Sequence, residues 1–309
     1  MAEQNAPARQ ATPVAEQNAP ARPATPVAEQ NAPARPATLV AAPRRPWAHR
    51  HPLLAWRCLL ARHPALRYVQ ILPVALALWG SDAVDKFRAG AAAAGLHNAV
   101  AVNAISREIG GPLATQMNHW LTAHQAAAVA AAWYYILVQG IVTGLVGVLL
   151  IWRRVPSFGF HRNALIACNL IGLATFWAFP VAPPRMLAGY HDVTAAAVPA
   201  FSSILENKAA GKFAALPSLH VVWALWVAIA LCVLFRNPLL RILAWLYPIA
   251  TITDVIATGN HYWLDAITAF GVLGLGYAAA FGFDRIVRRV MARGRRQRPI
   301  SLARTRWRI

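Results

Sequence analysis

Charge is scarce in this sequence. Only 13% of its 309 residues are Asp, Glu, Lys or Arg, while 58% are hydrophobic. That balance excludes an ordinary soluble domain. Cysteine is scarcer still: Cys58, Cys168 and Cys232 form no CxxC pair, and two of them lie inside apolar runs. Neither a metal cage of thiolates nor a disulfide framework is expected, and the thiols read as buried and inert. An early apolar run is also lacking. The first begins near Val69, too late for a cleavable signal peptide. Acidic residues are the rarer charged type, 11 against 30 basic ones, for a net charge of +19. Most arginines lie in tails and short connectors beside apolar runs. That pattern fits an anionic inner membrane surface and argues against nucleic acid as a partner.

What is present falls into four parts. Residues 2–40 hold three copies of a 13-residue unit beginning at Ala2, Ala15 and Ala28, each reading Ala-Glu-Gln-Asn-Ala-Pro-Ala-Arg. The unit is rich in Ala and Pro and has no aromatic residue, so residues 1–43 are expected to be a disordered tail. Residues 44–127 combine a basic juxtamembrane segment, a first transmembrane helix and an outer-face segment of short helices. Residues 128–284 carry the remaining apolar runs, and 285–309 form a basic cytoplasmic tail. The expected spans are 65–82, 128–152, 163–183, 217–235, 242–258 and 263–283. Each is close to the ~20 residues that cross a bilayer. The expected fold is all-α, a polytopic membrane protein with a six-helix transmembrane bundle.

The positive-inside rule orients these spans. The segment before the first span, the connectors after the second and fourth, and the C-terminal tail hold 21 basic residues, and six spans put all four on one side. The other side holds six: Lys86, Arg88, Arg107, Arg185, Lys208 and Lys212. Both termini are expected in the cytoplasm of a cell-membrane protein.

That orientation gathers three short motifs on the extracytoplasmic face. In Gly259-Asn260-His261-Tyr262-Trp263-Leu264-Asp265, His261 and Asp265 share a helical face. A carboxylate there can accept from one imidazole nitrogen and leave the other basic, the arrangement of an oriented histidine nucleophile. In Pro217-Ser218-Leu219-His220 the proline and serine suit a helix start, whose N–H groups also bind phosphate oxygens. His220 on that turn can act as general acid. In Pro183-Pro184-Arg185 two prolines stiffen the chain beside a guanidinium able to grip phosphate through two bonds. Lys208 and Lys212 lie in the same outer loop and add charge, and Tyr190, His191 and Asp192 are further candidates for the site's lining. Read blandly, the same residues are helix caps and interfacial charges, and Trp177 and Trp263 an aromatic belt.

Pro217-Ser218-Leu219-His220, with His261 and Asp265 across one further span, resembles the second and third signatures of the phosphatidic acid phosphatase type 2 superfamily. Pro183-Pro184-Arg185-Met186 is similar to the variant first signature of its inositolphosphotransferase branch, to which inositol phosphorylceramide synthase belongs. The resemblance covers about residues 125–285. It implies a six-helix domain needing neither metal nor cofactor. His261 would form a phosphohistidine, Asp265 orient it, and His220 protonate the leaving oxygen and then activate the acceptor. Arg185 and Ser218 would hold the phosphoryl oxygens. Two cations of the wider pattern are missing. Ala178 stands where a lysine is usual, and Asp254 and Val255 stand where Ser-Arg is usual. Lys208 or Lys212 could substitute, or the site could take a less charged phosphodiester.

The expected function is therefore a lipid phosphotransferase or phosphatase. It would move a phosphoryl group or phospho-headgroup, such as phosphoinositol, from a membrane lipid to a hydroxyl acceptor or water. A simple lipid-phosphate phosphatase is the nearest alternative. A lipid-phosphate transporter and a noncatalytic scaffold are alternatives of another class. Oligomeric state is not legible in the sequence.

Overall fold

A computed structural model describes residues 91–199 and 213–296. The repeat tail, the basic segment, the span expected at 65–82, Lys208, Lys212 and the end of the basic tail lie outside the described residues. Among those described, the chain is helical and contains no strand. The helices are α1 (Ala91–Gly110), α2 (Leu113–Ala123), α3 (Gln125–Trp133), α4 (Gln139–Trp152), α5 (Phe158–Ala178), α6 (Val193–Ala197), α7 (Leu219–Leu234), α8 (Pro238–Ala257) and α9 (Trp263–Arg296). A π-turn over Tyr134–Val138 joins α3 to α4.

Among the described residues, three helical stretches are long and apolar enough to cross a membrane: Gln125–Trp152, Pro238–Ala257 and Trp263–Arg293. The apolar α7 is shorter, at 16 residues. It is apolar on every side, and Val221, Val222, Leu225, Trp226, Val227 and Ala228 are all buried, so it forms the centre of the core. Around it pack α4, α5, α8 and α9. The third expected span, 163–183, corresponds to α5, which carries His161, Arg162, Asn163 and Asn169 and is less apolar than the three stretches above. Much of that polarity faces inward. Asn169 accepts from the Trp223 indole at 3.2 Å, the His161 ring meets the Tyr277 hydroxyl at 2.9 Å, and the Trp226 indole donates to the His161 carbonyl at 2.8 Å.

Helix ends follow local chemistry. Ser218 caps α7 and Asn237 caps α8, where Pro238 takes the first helical position. Helix α5 stops at Ala178, short of the expected 183, because Pro180 follows and forces the chain out of the helix. Helix α9 runs past the expected end at 283, through Arg285, Arg288, Arg289 and Arg293, because arginine is a good helix former and no proline intervenes. The buried Cys168 and half-buried Cys232 are both free thiols.

One irregular junction positions everything that follows. After α5 the extended segment around Val181 forms an isolated parallel bridge with Ala214. Val181 N–H donates to the Phe213 carbonyl at 2.7 Å, and Ala215 N–H donates to Val181 at 3.2 Å. Helix α1 locks the same segment, with Ala182 N–H donating to Gly95 and Asn98 donating to Pro180. The Tyr262 hydroxyl donates to the Ala182 carbonyl at 2.9 Å. The three motif segments are thereby stitched together at one end of the bundle. Within 83–127, where short outer-face helices are expected, the described residues form α1, which at 20 residues is not short, and the 11-residue α2; both flank this end.

Candidate active site

His261 sits in the tight turn between α8 and α9 and is 4% exposed. The turn needs Gly259, whose φ is +74°. A side chain there would also press on the Asn118 amide and the His191 carbonyl, each 3.1 Å from a Cβ. The turn's amides are satisfied from within: Asn260 and His261 N–H groups donate to the Val255 carbonyl at 3.1 and 3.0 Å. Val255, where the wider pattern has arginine, is fully buried in the core.

The His261 ring is held by two acceptors. Its Nδ1 lies 2.8 Å from the Ala215 carbonyl and 3.3 Å from Asp265 Oδ2. A carbonyl oxygen can only accept, so Nδ1 carries the proton and Nε2 of the neutral ring keeps its lone pair. Asp265 makes its shorter bond to the Tyr262 N–H, at 2.8 Å, and closes the first turn of α9. It is fully buried, with Oδ1 lacking any partner. Burial pushes the His261 pKa down from 6.5 to about 4; the Ala215 bond opposes that shift and the Arg185 charge adds to it.

His220 lies in the first turn of α7, its ring centroid 5.8 Å from that of His261. Tyr135, presented by the π-turn, also packs against His220, with ring centroids 4.6 Å apart. Ser218 is fully buried and its Oγ accepts from Val221 N–H at 3.4 Å as the helix cap. Its own N–H donates to the Asp265 carbonyl at 3.2 Å, which ties the second motif to the third.

Arg185 is half-buried and tied to the same turn. Its N–H donates to the Gly259 carbonyl at 2.9 Å, Nη1 donates to Asn260, and Nε pairs with Asp192 at 3.2 Å. Asn260 is fixed in turn by Thr194 and Thr258. The fully buried Asn118 of α2 braces the arrangement, bonding the His191 backbone through both its amide groups and the Ala257 carbonyl at 3.0 Å. So Arg185, Ser218, His220, His261 and Asp265 come together, whereas Lys208 and Lys212 lie outside the described residues. Of the further candidates, Asp192 pairs with Arg185 and His191 is held by Asn118, while Tyr190 reaches back to Asn103 at 3.5 Å. Of the two tryptophans, Trp177 is exposed at the end of α5 and Trp263 packs against Gly110.

Sequence reasoning missed Ala215, Asn260, Asn118 and Tyr135. Asn260 had a signal, being next to His261 in a Gly-Asn-His turn. Ala215 acts through its backbone and had none.

Two imidazoles, one with a fixed tautomer, beside a braced guanidinium can attack, hold and protonate a phosphate ester without a metal. Comparison with curated proteins and with solved structures gives no significant match for this chain. A sequence profile described as the PAP2 superfamily matches residues 100–279, a segment that holds all three motifs and more than half of the chain, and the protein therefore belongs to that superfamily.

Proposed function

We propose that the protein is an integral membrane phosphotransferase working on a lipid-linked phosphate through a phosphohistidine on His261. Membership of the superfamily supports phosphatase-type enzyme activity. The observation that carries the finer reading is the His261 ring itself. Its Nδ1 is committed to the Ala215 carbonyl, so Nε2 is the nucleophile, and His220 waits 5.8 Å away between ring centroids.

In the first half-reaction Nε2 attacks phosphorus, an N–P bond forms, and the bond from phosphorus to the leaving oxygen breaks. Protonated His220 gives its proton to that oxygen. In the second half, neutral His220 takes a proton from a hydroxyl acceptor or water. The acceptor oxygen attacks phosphorus and Nε2 is released. Arg185, with N–H groups at the start of α7 and any charge from Lys208 and Lys212, offsets the negative charge in the transition state. Asp265 acts on His261 from beneath and secures the turn.

Transfer is favoured over plain hydrolysis of a monoester by charge. Asp192 pairs with Arg185, Ala178 brings no lysine and Val255 no arginine, so the site suits a singly charged phosphodiester better than a dianion. A phosphoinositol headgroup meets that condition. The proposed frame is a six-span bundle with both termini cytoplasmic and this site at the extracytoplasmic face.

The test is to incubate the purified protein with lipid phosphates and phosphatidylinositol, with and without ceramide or diacylglycerol. Free phosphate and new phospholipids are read by mass spectrometry. A new headgroup-bearing lipid that needs the acceptor is expected, reduced by roughly a thousandfold or more in His261→Ala. Free phosphate alone would make the protein a simple phosphatase. Transport into sealed vesicles without phosphate release would replace catalysis by lipid-phosphate transport.

A further inference from the structure

A polar cluster lies inside the bundle, below the site and separate from the two imidazoles. It is built where α8 meets the π-turn. On α8 and its C-cap, Tyr247, Thr251, Asp254 and Thr258 follow one another at spacings of four, three and four and so share a face. The Tyr134 hydroxyl bonds Thr251 Oγ1 at 2.9 Å, and the Tyr134 and Tyr247 rings lie 6.3 Å apart. Thr258 Oγ1 accepts from Asn260, the residue that holds Arg185, so the polar face begins at the phosphate clamp. From there Asp254 is four residues deeper and Thr251 seven, or about 6 and 10 Å of helix rise.

The cluster is incomplete. Asp254 is 9% exposed, yet its Oδ2 has no hydrogen-bond partner. The Tyr247 hydroxyl approaches the Tyr134 and Thr251 hydroxyls but closes no bond of normal geometry to either. Both amide atoms of Gln139, one π-turn beyond Tyr134 on the same helix, are buried and unpartnered as well. A buried polar group without a partner forfeits its hydration with nothing in return. Several in one stretch of an apolar bundle point to a guest that completes them. The π-turn fits this reading, since such turns are rare and occur at functional sites. Here it sends Tyr135 to His220 and Tyr134 to α8.

The guest's chemistry follows from the groups. A carboxyl and two phenols repel a phosphate. Among the described residues no cluster of His, Cys, Asp and Glu could hold a metal ion. Carboxyl, phenol and threonine hydroxyls suit a neutral hydroxylated group, which donates and accepts in turn. The entry route follows from the rim. Tyr134 and Tyr247 are half-buried, and their helices expose Leu137 at 39%, Leu246 at 50% and Ile249 at 59%. These helices are among those long and apolar enough to span a membrane, so such side chains face lipid and a molecule reaching the cluster between them comes from the bilayer.

We propose that Tyr134, Tyr247, Thr251 and Asp254 form a second binding site, which takes the free hydroxyls of a neutral lipid headgroup from within the membrane. This rests on the phosphotransferase reading only for its purpose, which is to hold an acceptor beneath the phosphohistidine. Binding itself needs no turnover.

The test is calorimetric titration of the full-length protein in detergent with a 1-O-alkylglycerol, and with the alkyl ether of equal length lacking both hydroxyls. The diol is expected to bind about tenfold more tightly. Tyr247→Phe, which removes one oxygen and keeps the ring, and Asp254→Asn are each expected to cut that preference about fivefold. His261→Ala should leave it intact. Equal affinity for the two ethers would overturn the proposal. So would an equal loss for both ethers in the variants, which would mark the cluster as helix packing alone. A diol preference without any His261-dependent turnover would uphold this site and sink the catalytic reading.

Discussion

His261 depends on a backbone carbonyl more than on its carboxylate. Ala215 lies 2.8 Å from Nδ1 and Asp265 lies 3.3 Å away. The acceptor that fixes the tautomer is therefore one that no side-chain substitution deletes. Burial, reinforced by the Arg185 charge, holds the ring neutral down to a pKa of about 4, well below its ordinary 6.5. A nucleophilic imidazole must be neutral, so activity persists as pH falls through 6.5 and is lost only when the buried ring protonates. With a phosphodiester substrate, whose own ionisation lies lower, the acid limb of kcat/KM, where His261 protonates, is expected near 4, while a fall toward alkaline pH would report loss of the His220 proton. The folded ring's pKa lies below the unfolded value, so stability also declines as pH falls from 6.5 toward 4. Rates are therefore read per folded molecule, by circular dichroism at each pH. A limb centred at 6.5 would mean that His261 is solvated or is not the nucleophile.

At the scale of elements, the fit between α5 and α9 matters most. They form the most extensive helix pair of the described chain. Gly276 makes it possible: a Cβ there would lie 2.2 Å from Cys168 Sγ and 2.9 Å from the Ala164 carbonyl. The sulfur can swing away but the carbonyl cannot, so Gly276→Ala should push the helices apart and cost about 1–3 kcal/mol. Thermal unfolding in detergent checks this, and an unchanged or raised midpoint would refute so close an approach. The contrast between Gly276 and His261 explains how far the sequence could be read. Long apolar runs announce helices because a bilayer demands them, and a proline–serine start or a histidine four residues before an aspartate announces its chemistry through side chains. The π-turn at Tyr134–Val138 leaves no such mark, since Tyr-Tyr-Ile-Leu-Val reads as ordinary helix. Ala215 and Val181 act through backbone groups, and the inward polarity of α5 at Asn169 and His161 depends on partners 54 and 116 residues away. Motifs in the sequence thus name the candidate reacting groups, while tertiary contacts supply the groups that hold them.

For the whole molecule, the question is which way the bundle faces. The motif end carries Arg185, His220 and His261, and the opposite ends of α4 and α8 carry Arg153, Arg154, Arg236 and Arg241. Cationic connectors are held on the cytoplasmic side by the membrane potential and anionic lipid. On that rule the connector after α4 is expected inside and the loop before α6 outside. Single cysteines in a background freed of Cys58, Cys168 and Cys232 can report this. Ala188→Cys in the motif-end loop is expected to react with a membrane-impermeant maleimide on intact cells. Ser157→Cys in the opposite connector should react only after permeabilisation. The reverse labelling would put the histidines in the cytoplasm. The lipid phosphate would then have to be drawn from the inner leaflet, while the geometry between His261, His220 and Arg185 would stand unchanged.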